Sequence, residues 1–164
     1  GVIGNGTTTG NNILTPTAPI GLTARIKKIV RMGDAPGTVH ALDYSGNLWS
    51  WGRGGQGALG RGTTADTGTP AIATTNVIDI FQLSASPQYG YETTSPIIQK
   101  VDGYYCCGWN GIGLVGNTSA TQANNYVKIA IPSNAIIKYV GQFSTYINRF
   151  TRVAITTDNK IYAW

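Results

Sequence analysis

The feature that most limits how this chain can fold is an internal repeat. Gly1-Val-Ile-Gly-Asn-Gly-Thr-Thr matches Gly57-Ala-Leu-Gly-Arg-Gly-Thr-Thr at a constant offset of 56, so Gly4, Gly6, Thr7 and Thr8 recur as Gly60, Gly62, Thr63 and Thr64. The same step carries Gly52, Gly57, Leu59 and Gly60 onto Gly108, Gly113, Val115 and Gly116. Leu48-Trp49-Ser50-Trp51 falls on Tyr104-Tyr105-Cys106-Cys107, and Ile161-Tyr162-Ala163-Trp164 follows one residue out of step. Like units at a fixed period stack, each burying a face that it cannot cover alone.

The units read as antiparallel sheet. Ala41-Leu42, a turn at Ser45-Gly46 and Leu48-Trp51 form a hairpin pattern, repeated by Ile97-Ile98 with Asp102-Gly103 and by Ala154-Ile155 with Asp158-Asn159. A β-type run precedes each hairpin at Ile26–Val30, Val77–Phe81 and Ile136–Val140, so three or four strands per repeat are expected. Charged residues make up only 12% of the chain against 22 glycines, which favours strands and turns over salt-bridged helices. The expected class is all-β: about three blades of roughly 56 residues in a single partial β-propeller over 1–164, with repeat segments 1–51, 52–107 and 108–164. Because the ends break inside a blade motif, the chain is expected to be a processed product or a piece of something longer. Further blades would come from the same longer chain or from other copies.

Ala41-Leu42, the small turn, Leu48-Trp-Ser-Trp-Gly52 and Gln56-Gly-Ala-Leu-Gly-Arg-Gly62 resemble the repeat of the regulator of chromosome condensation propellers. The resemblance is strong from Ala41 to Gly62 and weaker from Ile97 to Asn117, where Cys107 replaces the expected tryptophan. It implies ring closure with about seven blades. It also implies varied protein partners: a nucleotide-exchange role on a small GTPase, chromatin association, or inhibition of another protein. In such a repeat Gly4, Gly6, Gly52, Gly57, Gly60, Gly62, Gly108, Gly113 and Gly116 allow tight turns and close backbone approach, while Trp51 and Trp164 pack within or between blades.

Function is expected where the copies differ. Between the upstream strand and the hairpin they read Gly33–His40, Gln82–Pro96 and Gly141–Val153, loops that a rigid scaffold would present on one face. These loops would bring together Tyr89, Tyr91, Phe143, Tyr146, Arg149, Phe150 and Arg152, aromatics and arginines of the kind that anchor interfaces or stack on sugars. Catalysis is not expected. His40 is the sole histidine and no nucleophile motif surrounds it, while Asp34 with Glu92 is the one carboxylate pair that could share the face. Adjacent Cys106 and Cys107 lack nearby histidine and read as packed thiols, so neither metal nor cofactor is expected.

The net charge of +5 invites a nucleic-acid reading, yet Arg25, Lys27, Lys28 and Arg31 form the only dense basic group, and a solvated strand face explains it. No apolar stretch is long enough to cross a bilayer. The weakly charged, Thr/Asn-rich composition fits an extracellular or virion surface, where the partner would be a receptor protein or a cell-surface glycan. A structural spacer in a fibre or spike is the alternative.

Overall fold

Alternating apolar and polar residues over short runs, punctuated by glycine turns, produce a meander of eleven strands among the described residues. The computed structural model describes residues 2–8, 15–33, 37–83, 95–111, 113–117, 121–146 and 149–164, with the backbone alone at 143–146, 149 and 150. Strands β1 (Ile26–Met32), β2 (Thr38–Asp43), β3 (Leu48–Gly52) and β4 (Thr67–Thr74) form one antiparallel sheet in chain order. β5 (Asp79–Phe81), β6 (Ile97–Lys100), β7 (Gly103–Trp109) and β8 (Gln122–Lys128) form a second. β9 (Ile137–Tyr146), β10 (Arg149–Thr156) and β11 (Ile161–Ala163) form a third. Each expected hairpin is present, and the fold is a partial β-propeller.

Register decides which residues are buried between sheets. In β2 and β3 the pairs Leu42↔Leu48 and His40↔Ser50 share one face. Leu42 and Leu48 join Val30, Val77, Ile80 and Ile98 in a core between the first two sheets. Val39, Ala41 and Trp51 point the other way, where Val2, Leu22 and Ile26 cover them. Between the second and third sheets lie Tyr104, Cys106, Ile137, Val140 and Ala154. Each large apolar side chain so buried contributes roughly 1.5–3 kcal/mol. β1 and β5 run side by side, joined by Lys28–Asp79 at 3.0 Å and by Lys27 Nζ to the Ile78 carbonyl at 3.1 Å.

Sheet boundaries do not coincide with the motif period. The glycine motif occupies the β3–β4 connection and leans on the following sheet, so each motif belongs to one sheet by sequence and braces the next by packing. Two expected loops are also shorter than the sequence implies. Thr38, Val39 and His40 belong to β2, and Gly141–Val153 is a continuous β9–β10 ladder apart from residues 147 and 148, which are not described. The physical reason is pairing: once β9 and β10 align through Ala154↔Val140, the ladder extends to Arg149↔Tyr146 without needing an apolar pattern.

Candidate functional site

The repeat builds one inter-sheet latch three times. Trp51 Nε1 donates to the Val2 carbonyl at 2.8 Å, and Trp164 Nε1 donates to the Leu114 carbonyl at 3.1 Å. Between them, Cys107 Sγ donates to the Ala58 carbonyl at 3.8 Å. Val2, Ala58 and Leu114 are related by the same offset of 56, so one carbonyl per motif receives one donor from the strand it braces. Gly4, Gly60 and Gly116 follow two residues later with φ of +78°, +64° and +76°, and each places its α-carbon against the latch side chain. A Cβ on Gly116 would stand 2.9 Å from Trp164 Nε1, and one on Gly60 would meet the Tyr126 ring at 2.5 Å.

Tyr126 explains how the second latch tolerates Cys107. Pro70 and Tyr126 occupy the same ladder position of β4 and β8, since Ile72 pairs Trp49 as Lys128 pairs Tyr105. The first latch therefore combines a large Trp51 with a compact Pro70, and the second a small Cys107 with a large Tyr126. Both pairs close on the motif glycine. The sequence shows the loss of tryptophan but not its compensation, which lies on a different strand.

Polar groups seal the same interfaces. His40 is fully buried in β2, with Nδ1 3.3 Å from Tyr126 Oη and the rings edge to face. Burial holds its imidazole neutral and lowers the pKa to about 3, against a smaller opposing pull from the backbone of Ala58. Burial pushes the Cys107 thiol up, helped by neighbouring Cys106, and both cysteines are buried and unbridged. At Asp43, burial works to raise the pKa, but hydrogen bonds from Trp49 Nε1, the Asn47 side chain and the Asn47 and Ser45 backbone prevail and lower it. This carboxylate ties the β2–β3 turn together.

The end bearing the β1–β2, β5–β6 and β9–β10 connections is the expected binding face, and the structure divides its candidate residues. Phe143, Tyr146, Arg149 and Phe150 lie on the β9–β10 hairpin, where Phe143 pairs Thr151, Phe150 pairs Ser144 and Arg149 pairs Tyr146. Tyr89 and Tyr91 fall outside the described residues, as do Asp34 and Glu92. Arg152 is a correction: it is a core residue with no exposed surface. Its Nη1 donates to the Leu114 carbonyl at 2.6 Å and to Cys106 Sγ at 2.9 Å, and its Nε donates to Gln142 Oε1 at 3.2 Å. Arg152 holds the ladder position of Val39 in the first sheet, a site that alternation sends inward.

Among the described residues, the β9–β10 pairing runs furthest toward this end. Counted from the equivalent core pairs, the first sheet continues three residues past Ala41 to Thr38, the second stops at Ile97, and the third continues five past Ala154 to Arg149. At about 3.4 Å per residue, the β9–β10 pairing is longer at this end than that of the other two sheets by roughly 7 to 17 Å. A model of the regulator of chromosome condensation (RCC1) repeat matches residues 45–85. Over that span the chain resembles the regulator of chromosome condensation repeat. The matched span crosses from the first sheet into the second, following the motif period. Among solved structures, yeast RCC1 (Prp20) in a complex with Kap60 aligns with 88% of this chain at 19% identity and a TM-score of 0.64. Human WBSCR16 aligns with 95% at 16% identity and a TM-score of 0.65. This chain spans 30% of the matched yeast chain and 38% of the human one. No curated protein sequence matches it. At these identities the likeness fixes the fold alone. Among the described residues no group of three or more metal-ligating side chains gathers, and no helix is long and apolar enough to cross a membrane.

Proposed function

We propose that this RCC1-type propeller segment is a non-enzymatic binding module whose partner docks on the end carrying the β9–β10 hairpin. The supporting observation is the β9–β10 pairing, which continues past the point where the equivalent ladders of the other two sheets end and carries Phe143, Tyr146, Arg149 and Phe150 on paired strands. A paired arm loses little conformational entropy when a partner closes on it. Aromatic and arginine residues supply most of the energy in protein interfaces and also stack on sugars. A protein partner has support from the yeast RCC1 relative, which is bound to Kap60.

The weakly charged, hydroxyl-rich composition supports placement on an extracellular or virion surface, with attachment to a receptor protein or its glycan as the task. The test is binding of the intact protein to cells and to an array of glycans and candidate receptor ectodomains, repeated with Phe143→Ala, Tyr146→Ala and Phe150→Ala. Loss of binding on these substitutions with unchanged melting supports the reading. Binding that survives all three, or no binding at all, overturns it; the latter result favours a spacer in a fibre or spike.

A further inference from the structure

The opposite end of the sheets carries the β2–β3, β6–β7 and β10–β11 turns, and the fold collects there every lysine of the chain. Lys27 and Lys28 are in the first residues of β1, Lys100 ends β6, Lys128 ends β8, Lys138 is the second residue of β9, and Lys160 is in the β10–β11 turn. In sequence these are scattered over more than a hundred residues; in the structure they share one rim. Arg25 joins them, its guanidinium 4.4 Å from the centroid of Tyr44. The arginines of the β3–β4 connection, Arg53 and Arg61, lie at the other end.

Against these seven cations the rim holds Asp79, Asp102, Asp158 and the enclosed Asp43. Three lysines make exposed ion pairs, Lys28 with Asp79 at 3.0 Å, Lys128 with Asp102 at 3.4 Å and Lys160 with Asp158 at 2.9 Å. Exposed pairs of this kind are worth little and exchange readily. Among the described residues, Lys27, Lys100 and Lys138 donate to neutral oxygens, of Ile78, Thr74 and Asn159, Lys100 also lies 5.3 Å from the Tyr105 ring centroid, and none of the three forms an ion pair.

Large apolar side chains are exposed among the lysines. Val101 at the β6–β7 turn is 88% exposed, Ile161 after the β10–β11 turn 68%, Tyr44 61% and Ile136 58%. This mixture selects among anionic partners. A nucleic-acid backbone or sulfated polysaccharide satisfies the lysines but leaves the aliphatic groups in water. An anionic bilayer would be repelled by Asp102 and Asp158 at the turn tips. A second copy of the rim would bring like charge against like charge. Lysine, a compact point charge without the bidentate fork of arginine, suits carboxylates approached from varied directions. We propose that the turn end is a docking surface for an acidic protein segment whose carboxylates are interleaved with apolar side chains. It stands apart from the hairpin end, whatever binds there.

The test is fluorescence anisotropy of the full chain with a labelled peptide alternating Asp and Glu with Leu and Phe, beside a peptide of equal charge with Gly and Ser in place of Leu and Phe. Heparin, single-stranded DNA and phosphatidylserine-containing vesicles are the competing probes. Expected are saturable binding of the first peptide, about tenfold weaker binding of the second, and about tenfold loss for both between about 50 and about 200 mM salt. The triple variant Lys27→Gln, Lys100→Gln, Lys138→Gln should lose about tenfold while melting unchanged, and Val101→Ser should lower only the preference for the apolar peptide. Arg61→Gln, at the other end, should bind as the parent does. Equal binding of both peptides, tighter binding of heparin, DNA or vesicles, an unaffected triple variant, or no binding would each overturn the proposal.

Discussion

The first and second latches do the same job with inverted volumes. Trp51 reaches across to the Val2 carbonyl beside the small Pro70, whereas Cys107 leaves space that Tyr126 fills from β8. The repeat thus conserves a filled interface around a glycine rather than a particular side chain. In the second latch the large ring is half-buried on the outermost strand of its sheet and also contacts His40 of the first sheet, so that interface depends on one residue in three roles.

The largest difference between the latches should come from their glycines. Gly60→Ala forces a Cβ to 2.5 Å from the Tyr126 ring at positive φ, and should destabilise the protein by about 3 kcal/mol or more in chemical denaturation. Gly4→Ala meets nothing nearer than 2.9 Å, from Pro19 Cβ, and should cost less; equal costs would break the comparison. Next is Cys107→Trp, which overpacks against Tyr126 by about 1–3 kcal/mol. Combining it with Tyr126→Pro recreates the first latch and should recover most of that loss, a coupling read from a double-mutant cycle.

Acid should separate the interfaces further. The unfolded chain protonates His40 near its ordinary value of 6.5, while the folded protein resists until about 3, so stability is full above pH 6.5 and falls as pH drops toward 3. From pH 7 to 5 the loss should be about 2 kcal/mol, and His40→Leu should flatten that part of the profile. The corresponding positions of the other sheets, Pro96 and Val153, do not titrate. The smallest effect is Trp51→Phe, which keeps most of the ring and removes one hydrogen bond, at about 1 kcal/mol in thermal melts.

What the sequence determined by itself is the repeated part. An offset of 56 from Gly1 to Gly116, and hairpins at Ser45-Gly46, Asp102-Gly103 and Asp158-Asn159, suffice for stacked antiparallel sheets, because turns and strand alternation are local and repetition makes them redundant. The site was only partly legible. Phe143, Tyr146, Arg149 and Phe150 do share one element, but pairing made it a hairpin rather than a loop, and the same alternation carried Arg152 inward to Cys106 and Leu114. Only tertiary structure decided that inward turn, the exchange of volume between Cys107 and Tyr126, and the gathering of six distant lysines on one rim. Each depends on which strands become neighbours, and no local pattern encodes contacts between residues so far apart in the chain.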